Sequence, residues 1–231
     1  MMVEVIPKKK FILMVLSAAL AVSACSGSPA AEPQGTQQQE ISTSTPAKEV
    51  QVQEFTSITE FFRLSVPAGW SGVELVPGGA YLMANSEGAL ERYQGGTEVE
   101  PGDLVVNVGF IPYRLLETNE LRALNFQFDA SPDVFFRSLM PMFEMDESVA
   151  LSEPVLVSLG SGLEAGLVTA SSREQEGLVM MFSAGEKVIA LVSSLAYTGE
   201  MEAFEKTVYS LADEVEFFGE QDALYGALLG G

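Results

Sequence analysis

The stretch from Glu153 to Leu195 constrains this chain more than any other. It holds four runs rich in apolar and β-branched residues: Glu153–Leu159, Leu163–Ser171, Gly177–Ser183 and Lys187–Leu195. The connections are Gly160-Ser161-Gly162, Ser172–Glu176 and Ala184-Gly185-Glu186, all short and made of turn formers or polar residues. Parallel strands need a long crossover, so runs joined this tightly pair antiparallel as a meander. Asp103–Ile111 (DLVVNVGFI) is mostly apolar and predicts a central strand covered on both faces. A sheet built around such a strand requires other elements packed on each side.

Phe61–Val66 reads as a further strand, stopped by Pro67-Ala68-Gly69, and Tyr81–Ala84 as another. Ser131-Pro132-Asp133 opens a helix: Ser caps, Pro suits the first helical position, and Asp complements the helix dipole. Phe135 and Leu139 then share one helical face, and Pro141 ends or kinks the helix. Glu200–Asp213 is an amphipathic helix, with Met201, Phe204, Val208 and Leu211 on one side and Glu202, Glu205 and Lys206 in water. Leu115–Asp129 fits a short helix or an irregular crossover. The expected fold is of the α+β class, an antiparallel sheet with helices on both faces in an α/β/α sandwich. The globular domain spans 54–220, followed by an apolar tail, 221–231.

The N-terminus carries a different kind of signal. Lys8, Lys9 and Lys10 precede an apolar run, Phe11–Leu20, and then Val22-Ser23-Ala24-Cys25. A basic start, a short apolar core and small residues at a cut mark a secretory signal over 1–24. The run is too short to span a bilayer comfortably, which takes roughly 20 apolar residues. Val-Ser-Ala-Cys resembles the bacterial lipobox. That resemblance implies a diacylglyceryl group on the Cys25 sulfur, cleavage before Cys25, acylation of the new amine, and a place on the extracytoplasmic face of the cell envelope. Residues 25–53 are then the lipidated cysteine and a tether rich in Ser, Pro, Gln, Thr and Ala, which cannot bury enough apolar surface to order itself.

A second resemblance lies in the domain. Phe62-Arg63-Leu64-Ser65-Val66-Pro67-Ala68-Gly69-Trp70 is similar to the opening of PsbP-like domains. Ser158–Ala165 (SLGSGLEA) and Ala184–Leu191 (AGEKVIAL), with the amphipathic helix after them, are similar to the family's second half. The resemblance covers roughly residues 55–218 and implies an antiparallel sheet between helical layers. It implies little about chemistry, because such folds serve photosystem assembly, transport-factor binding and lipoproteins of other kinds. The histidines associated with metal binding in photosynthetic members have no counterpart here, so no ligand residue carries over.

Composition narrows the chemistry. The 231 residues include no histidine and one cysteine, Cys25. No disulfide forms within the chain, and histidine-dependent catalysis and ordinary zinc, copper or haem ligation lack their raw material. The formal charge is −20, and −22 once residues 1–24 are removed. Such a surface repels phosphate backbones and bare anionic lipid, so nucleic acid is not an expected partner. No cofactor or metal motif is present. The acidic groups Glu98, Glu100 and Asp103; Glu144, Asp146 and Glu147; and Asp213, Glu214 and Glu216 lack the Asp/Asn alternation of a calcium loop.

Ser161 is not in a G-x-S-x-G elbow. Gly160–Ala165 fits a loose dinucleotide pattern but sits between two strands, so it reads as a hairpin turn. Gly69, Gly72, Gly78, Gly79, Gly95 and Gly96 have no Walker spacing and read as turns. Trp70 fits a core plug or a binding hot spot. The apolar tail either packs back on the domain or docks on a partner through Leu224, Tyr225 and Leu228. The function expected is a non-enzymatic binding or assembly module, held to a membrane by lipid and meeting another envelope protein. The alternative is a carboxylate-based envelope hydrolase.

Overall fold

The computed structural model describes residues 52–117, 126–143 and 149–229. Cys25, the tether before Val52, the cluster Glu144, Asp146 and Glu147, and part of Leu115–Asp129 lie outside the described residues.

The strands are β1 (Val52–Thr56), β2 (Phe62–Pro67), β3 (Ser71–Val76), β4 (Ala80–Ala84), β5 (Leu104–Pro112), β6 (Ala150–Leu151), β7 (Val155–Ser158), β8 (Glu164–Ser171), β9 (Gln175–Gly185), β10 (Val188–Tyr197) and β11 (Val215–Phe217). The helices are α1 (Glu87–Gln94), α2 (Tyr113–Leu116), α3 (Pro132–Phe143), α4 (Met201–Asp213) and α5 (Gln221–Leu228). The main sheet runs β3-β4-β5-β10-β9-β8-β6, with β7 also paired to β8, and every pairing is antiparallel. The second half of the chain is the meander its short turns demand. A small antiparallel sheet, β1-β2-β11, joins the two ends of the domain.

Every residue of β5 is buried. Its even-numbered side chains meet the small sheet: the Phe110 ring lies 4.8 Å from Phe62 and 4.9 Å from Phe217, centroid to centroid. Phe55 of β1 stacks on Tyr81 of β4 at 3.9 Å. On this face α4 lies beside the small sheet and packs on β9 and β10. The opposite face carries α1 over β4 and Val105, and α3 over β8 and β9. Gly166 marks a close approach there, since a Cβ would meet the Pro132 carbonyl oxygen at 2.6 Å. Asn107 of β5 faces Ser193 of β10 across the register; both are 2% exposed. The expectation of an antiparallel sheet with helices on both faces is thus what the structure shows.

Several elements go beyond the sequence reading. β1 begins at Val52, inside the segment assigned to the tether. Pro141 does not end α3, which continues to Phe143. Helix α1 starts at Ser86, whose side chain accepts from the Ala89 N–H, with Glu87 in the first turn. α2 resolves the start of the Leu115–Asp129 stretch as a short helix, and Tyr113 stacks on Phe128 at 4.4 Å.

The tail is the principal correction. Residues 221–228 form α5, and Leu224 is 0% and Leu228 9% exposed. The helix packs against α2 and β5, with Leu228 against Gly79. Arg114 of α2 pins it from outside, 3.0 Å from Asp222 and 4.6 Å above the half-buried Tyr225 ring. Leu224, Tyr225 and Leu228 therefore do not form an exposed docking patch; the apolar pair completes the core. Leu224→Ala is expected to cost about 2–5 kcal/mol, as for other large-to-small core changes. Urea unfolding of the variant checks this, and a change within about 0.5 kcal/mol, the surface range, would place α5 off the core.

Candidate functional site

Two of the acidic residues, Asp103 and Asp213, hold loops. Asp103, 6% exposed, takes two hydrogen bonds from Arg92 Nη2 of α1, at 2.8 and 2.7 Å. Its Oδ2 also accepts from the Glu100 N–H at 3.0 Å. Glu100 reaches the same guanidinium at 3.6 Å. Asp213, at the end of α4, accepts from the Gly160 N–H, the Ser161 N–H and the Ser161 hydroxyl, at 2.9, 3.0 and 2.9 Å. Burial pushes its carboxyl up, but these donors outweigh it and hold the group below the usual aspartate value. Ser161 thus braces the β7–β8 turn, where Gly162 takes a φ of +86°. Glu216 lies 3.7 Å from Arg63. Among the described residues, no group of three or more acidic side chains is placed to hold a metal ion.

Sequence reasoning missed one acidic pair. Glu98 hydrogen-bonds Glu174 of the β8–β9 turn. Glu98 is raised above the ordinary value by that hydrogen bond first, then by burial and by the neighbouring charge. No local motif could reveal it, because the two loops meet only in the folded chain.

A groove of about 590 Å³ runs along α4. One wall is Phe204, Thr207, Ser210 and Leu211 of α4, with Lys206 and Glu214 at its rim; the other is Val52, Ser65, Pro67 and Trp70, with Asn85. Trp70 is placed by its own turn. Gly69 has φ +88°, the left-handed conformation that glycine tolerates, and the Trp70 N–H closes on the Pro67 carbonyl at 3.2 Å. The Gln53 side-chain amide donates to the Trp70 carbonyl at 3.0 Å. The half-buried indole therefore joins two roles that the sequence held apart, packing against the core and lining a groove. Lys206 makes no ion pair with the described residues. Groove volumes of this size suit ligands and anchoring side chains, and aromatic residues beside a charge are common at binding hot spots.

A smaller cleft of about 430 Å³ lies at the other end of α4, among Leu167, Thr169, Leu178, Met201, Glu176, Glu202 and Glu205. Glu176 there accepts from the Gly199 and Met201 N–H groups, at 2.9 and 2.6 Å. That carboxylate is held at the start of the helix.

No protein-family model matches the sequence, and no curated protein matches it. Solved structures do resemble the fold. The solution structure of cyanobacterial PsbP (CyanoP) from Synechocystis aligns with TM-score 0.44 and 10% identity, over 77% of this chain and 99% of that one. The Ran-binding protein Mog1p of Saccharomyces cerevisiae aligns with TM-score 0.40 and 13% identity, over 78% and 92%. LpqN of Mycobacterium tuberculosis, involved in cell envelope biogenesis, aligns with TM-score 0.36 and 9% identity, over 74% and 93%.

The Glu98–Glu174 pair has a pH signature. Because the Glu98 value is raised, the contribution of the pair to stability is full below the ordinary glutamate value of 4.5 and is lost as pH rises through the raised one. Glu98→Gln cannot ionise, so the variant is expected to melt higher than the parent at pH 8. The gap should close as the pH falls toward 4.5. Thermal unfolding at both pH values checks this; a variant less stable at pH 8 contradicts the pairing.

Proposed function

We propose that this chain is a lipid-anchored extracytoplasmic protein that acts as a non-enzymatic binding or assembly module, with the groove along α4 as its docking site for another envelope protein. The observation that carries the reading is Cys25, the only cysteine, placed directly after a basic, apolar and small-residue leader. Two or three acyl chains there anchor stably, since each buried CH₂ contributes roughly 0.8 kcal/mol. No helix of the described residues is long and apolar enough to cross a membrane, so the lipid is the attachment this reading requires.

The groove supports the second half of the reading. It lies at Val52, where the N-terminal segment joins the domain. A lipid on Cys25 confines the groove near the bilayer and raises its effective concentration for partners there. Trp70 and Phe204 suit an apolar side chain of the partner, and Lys206 and Glu214 offer one charge of each sign at the rim. The chain has no histidine base, and Asp103, Asp213 and Glu176 are occupied as braces. A hydrolase would need two facing carboxylates in a pocket, and the facing pair described above, Glu98 and Glu174, lines neither cleft.

Detergent phase partition of cell extracts tests the anchor. The wild-type protein should enter the detergent phase, and Cys25→Ala should stay unprocessed or move to the aqueous phase. Wild-type protein in the aqueous phase overturns it. Crosslinking in intact cells tests the groove. Trp70→Ala should reduce capture of an envelope partner at least about ten-fold, the scale of a hot spot worth more than 1 kcal/mol. Equal capture by the variant removes the groove from the proposal.

A further inference from the structure

One outer edge of the main sheet carries several exposed apolar side chains. Among the described residues, β7 pairs with β8 and with nothing on its other side. Nine large apolar side chains are exposed among the described residues. Three of them, Val155, Leu156 and Leu163, fall on β7 and its turn, at 51%, 45% and 42%. Val134 of α3, which packs on β7, is a fourth at 42%. Pro154 through Leu163 contains no charged residue, in a chain of formal charge −20. Natural sheets usually protect an edge with charge; here only Pro154 does so, and at one end.

The register shows which backbone groups are free. The Leu159 N–H donates to the Leu163 carbonyl at 2.8 Å, and Val157 lies opposite Ala165 and Val155 opposite Leu167. Bonded pairs alternate along an antiparallel ladder, so the odd residues bond inward to β8. Leu156 and Ser158 therefore turn their N–H and C=O groups outward. A row of that kind is satisfied by another extended strand.

We propose that the strand is β7 of a second copy, paired antiparallel about a two-fold axis at Val157. In that register Leu156 of each copy bonds Ser158 of the other, and all the outward groups of both residues are used. Pro154, which has no N–H to offer, falls opposite Gly160. Glu153, which lies 2.6 Å from Arg137 of its own copy, falls opposite Ser161, whose N–H and hydroxyl are taken by Asp213. Shifting the register to place Leu156 opposite itself brings Pro154 against Ser158 and leaves the Ser158 carbonyl without a donor. The strand residues that meet in this pairing, Val155 through Ser158, carry no charge, so the contact itself adds no like-charge pair. A four-residue edge covers less than the roughly 800 Å² per partner of a standard interface, so pairing is weak in free solution. Confinement on a membrane strengthens it; that point alone rests on the anchor proposed above.

The register places the two Val157 residues directly opposite in a non-bonded pair, about 4.5 Å between Cα atoms, inside the roughly 4.4–6.8 Å that a disulfide spans. The experiment uses the full chain with Cys25→Ala, so an added thiol is the only one and the result is independent of lipidation. Under mild oxidation Val157→Cys should form a disulfide-linked dimer. Ser183→Cys, exposed on β9, should remain monomeric. Adding Leu156→Lys, a change at an exposed side chain, should lower the dimer yield about ten-fold. Dimer yield should rise with salt between about 0.01 M and about 1 M, as the Debye length falls from about 30 Å to about 3 Å and like-charge repulsion is screened. A partner recruited by acidic surface would respond in the opposite direction. A monomeric Val157→Cys chain, equal linkage through Ser183→Cys, or linkage of the Val157→Cys thiol in cells to a different envelope protein overturns the proposal. Failure of the anchor would appear only in the phase partition.

Discussion

Burial of β5 on both faces is the constraint on which the structure depends. All of β5 and nearly all of β10 are removed from water, so each face of the sheet must find a cover. Burial of a Val, Leu or Phe side chain contributes about 1.5–3 kcal/mol, and these strands are made largely of such residues. One face is covered by helices. The other is covered by two unlike pieces side by side, the small sheet and α4. The groove with Trp70 is the seam between those pieces. Its existence follows from covering one face with elements taken from opposite ends of the chain.

The carboxylates show how an acidic chain with few bases stabilises its loops. Glu74 accepts from the Ile58 and Gly78 N–H groups at 3.0 and 2.6 Å, and Glu200 from the Gly102 N–H at 2.8 Å. Asp213 and Glu176 do the same elsewhere. Ionised acceptors form the stronger class of hydrogen bond, and backbone donors at turns are otherwise left to water. A few of the 32 acidic residues therefore fix loop geometry.

The meander and β5 were legible because their signals are local: apolar runs, tight connections and turn residues in order. α4 was legible from its 3.6-residue period. β1 was not, because as an edge strand it buries little and shows almost no alternation. α1 was hidden by Gly88 and a polar face, although Ser86 and Glu87 gave a capping signal. α5 showed its apolar residues but not their destination, since Leu224 meets surfaces contributed by residues far back in the sequence. The site divided in the same way. Trp70 stood out as a residue, whereas its neighbours Phe204 and Lys206 are joined to it only by tertiary packing.

The small sheet has a consequence for timing. Its order, β1-β2-β11, sets Phe62 against Phe217, and Leu224 and Leu228 are then needed to fill the core. Contacts so distant in sequence close late, because the entropy of a long loop must be overcome before they form. A chain made from its N-terminus has its first strands ready long before their partner exists. The native structure therefore becomes accessible only once the segment through Leu228 has been made, which leaves a long interval in which the polypeptide is still threadable.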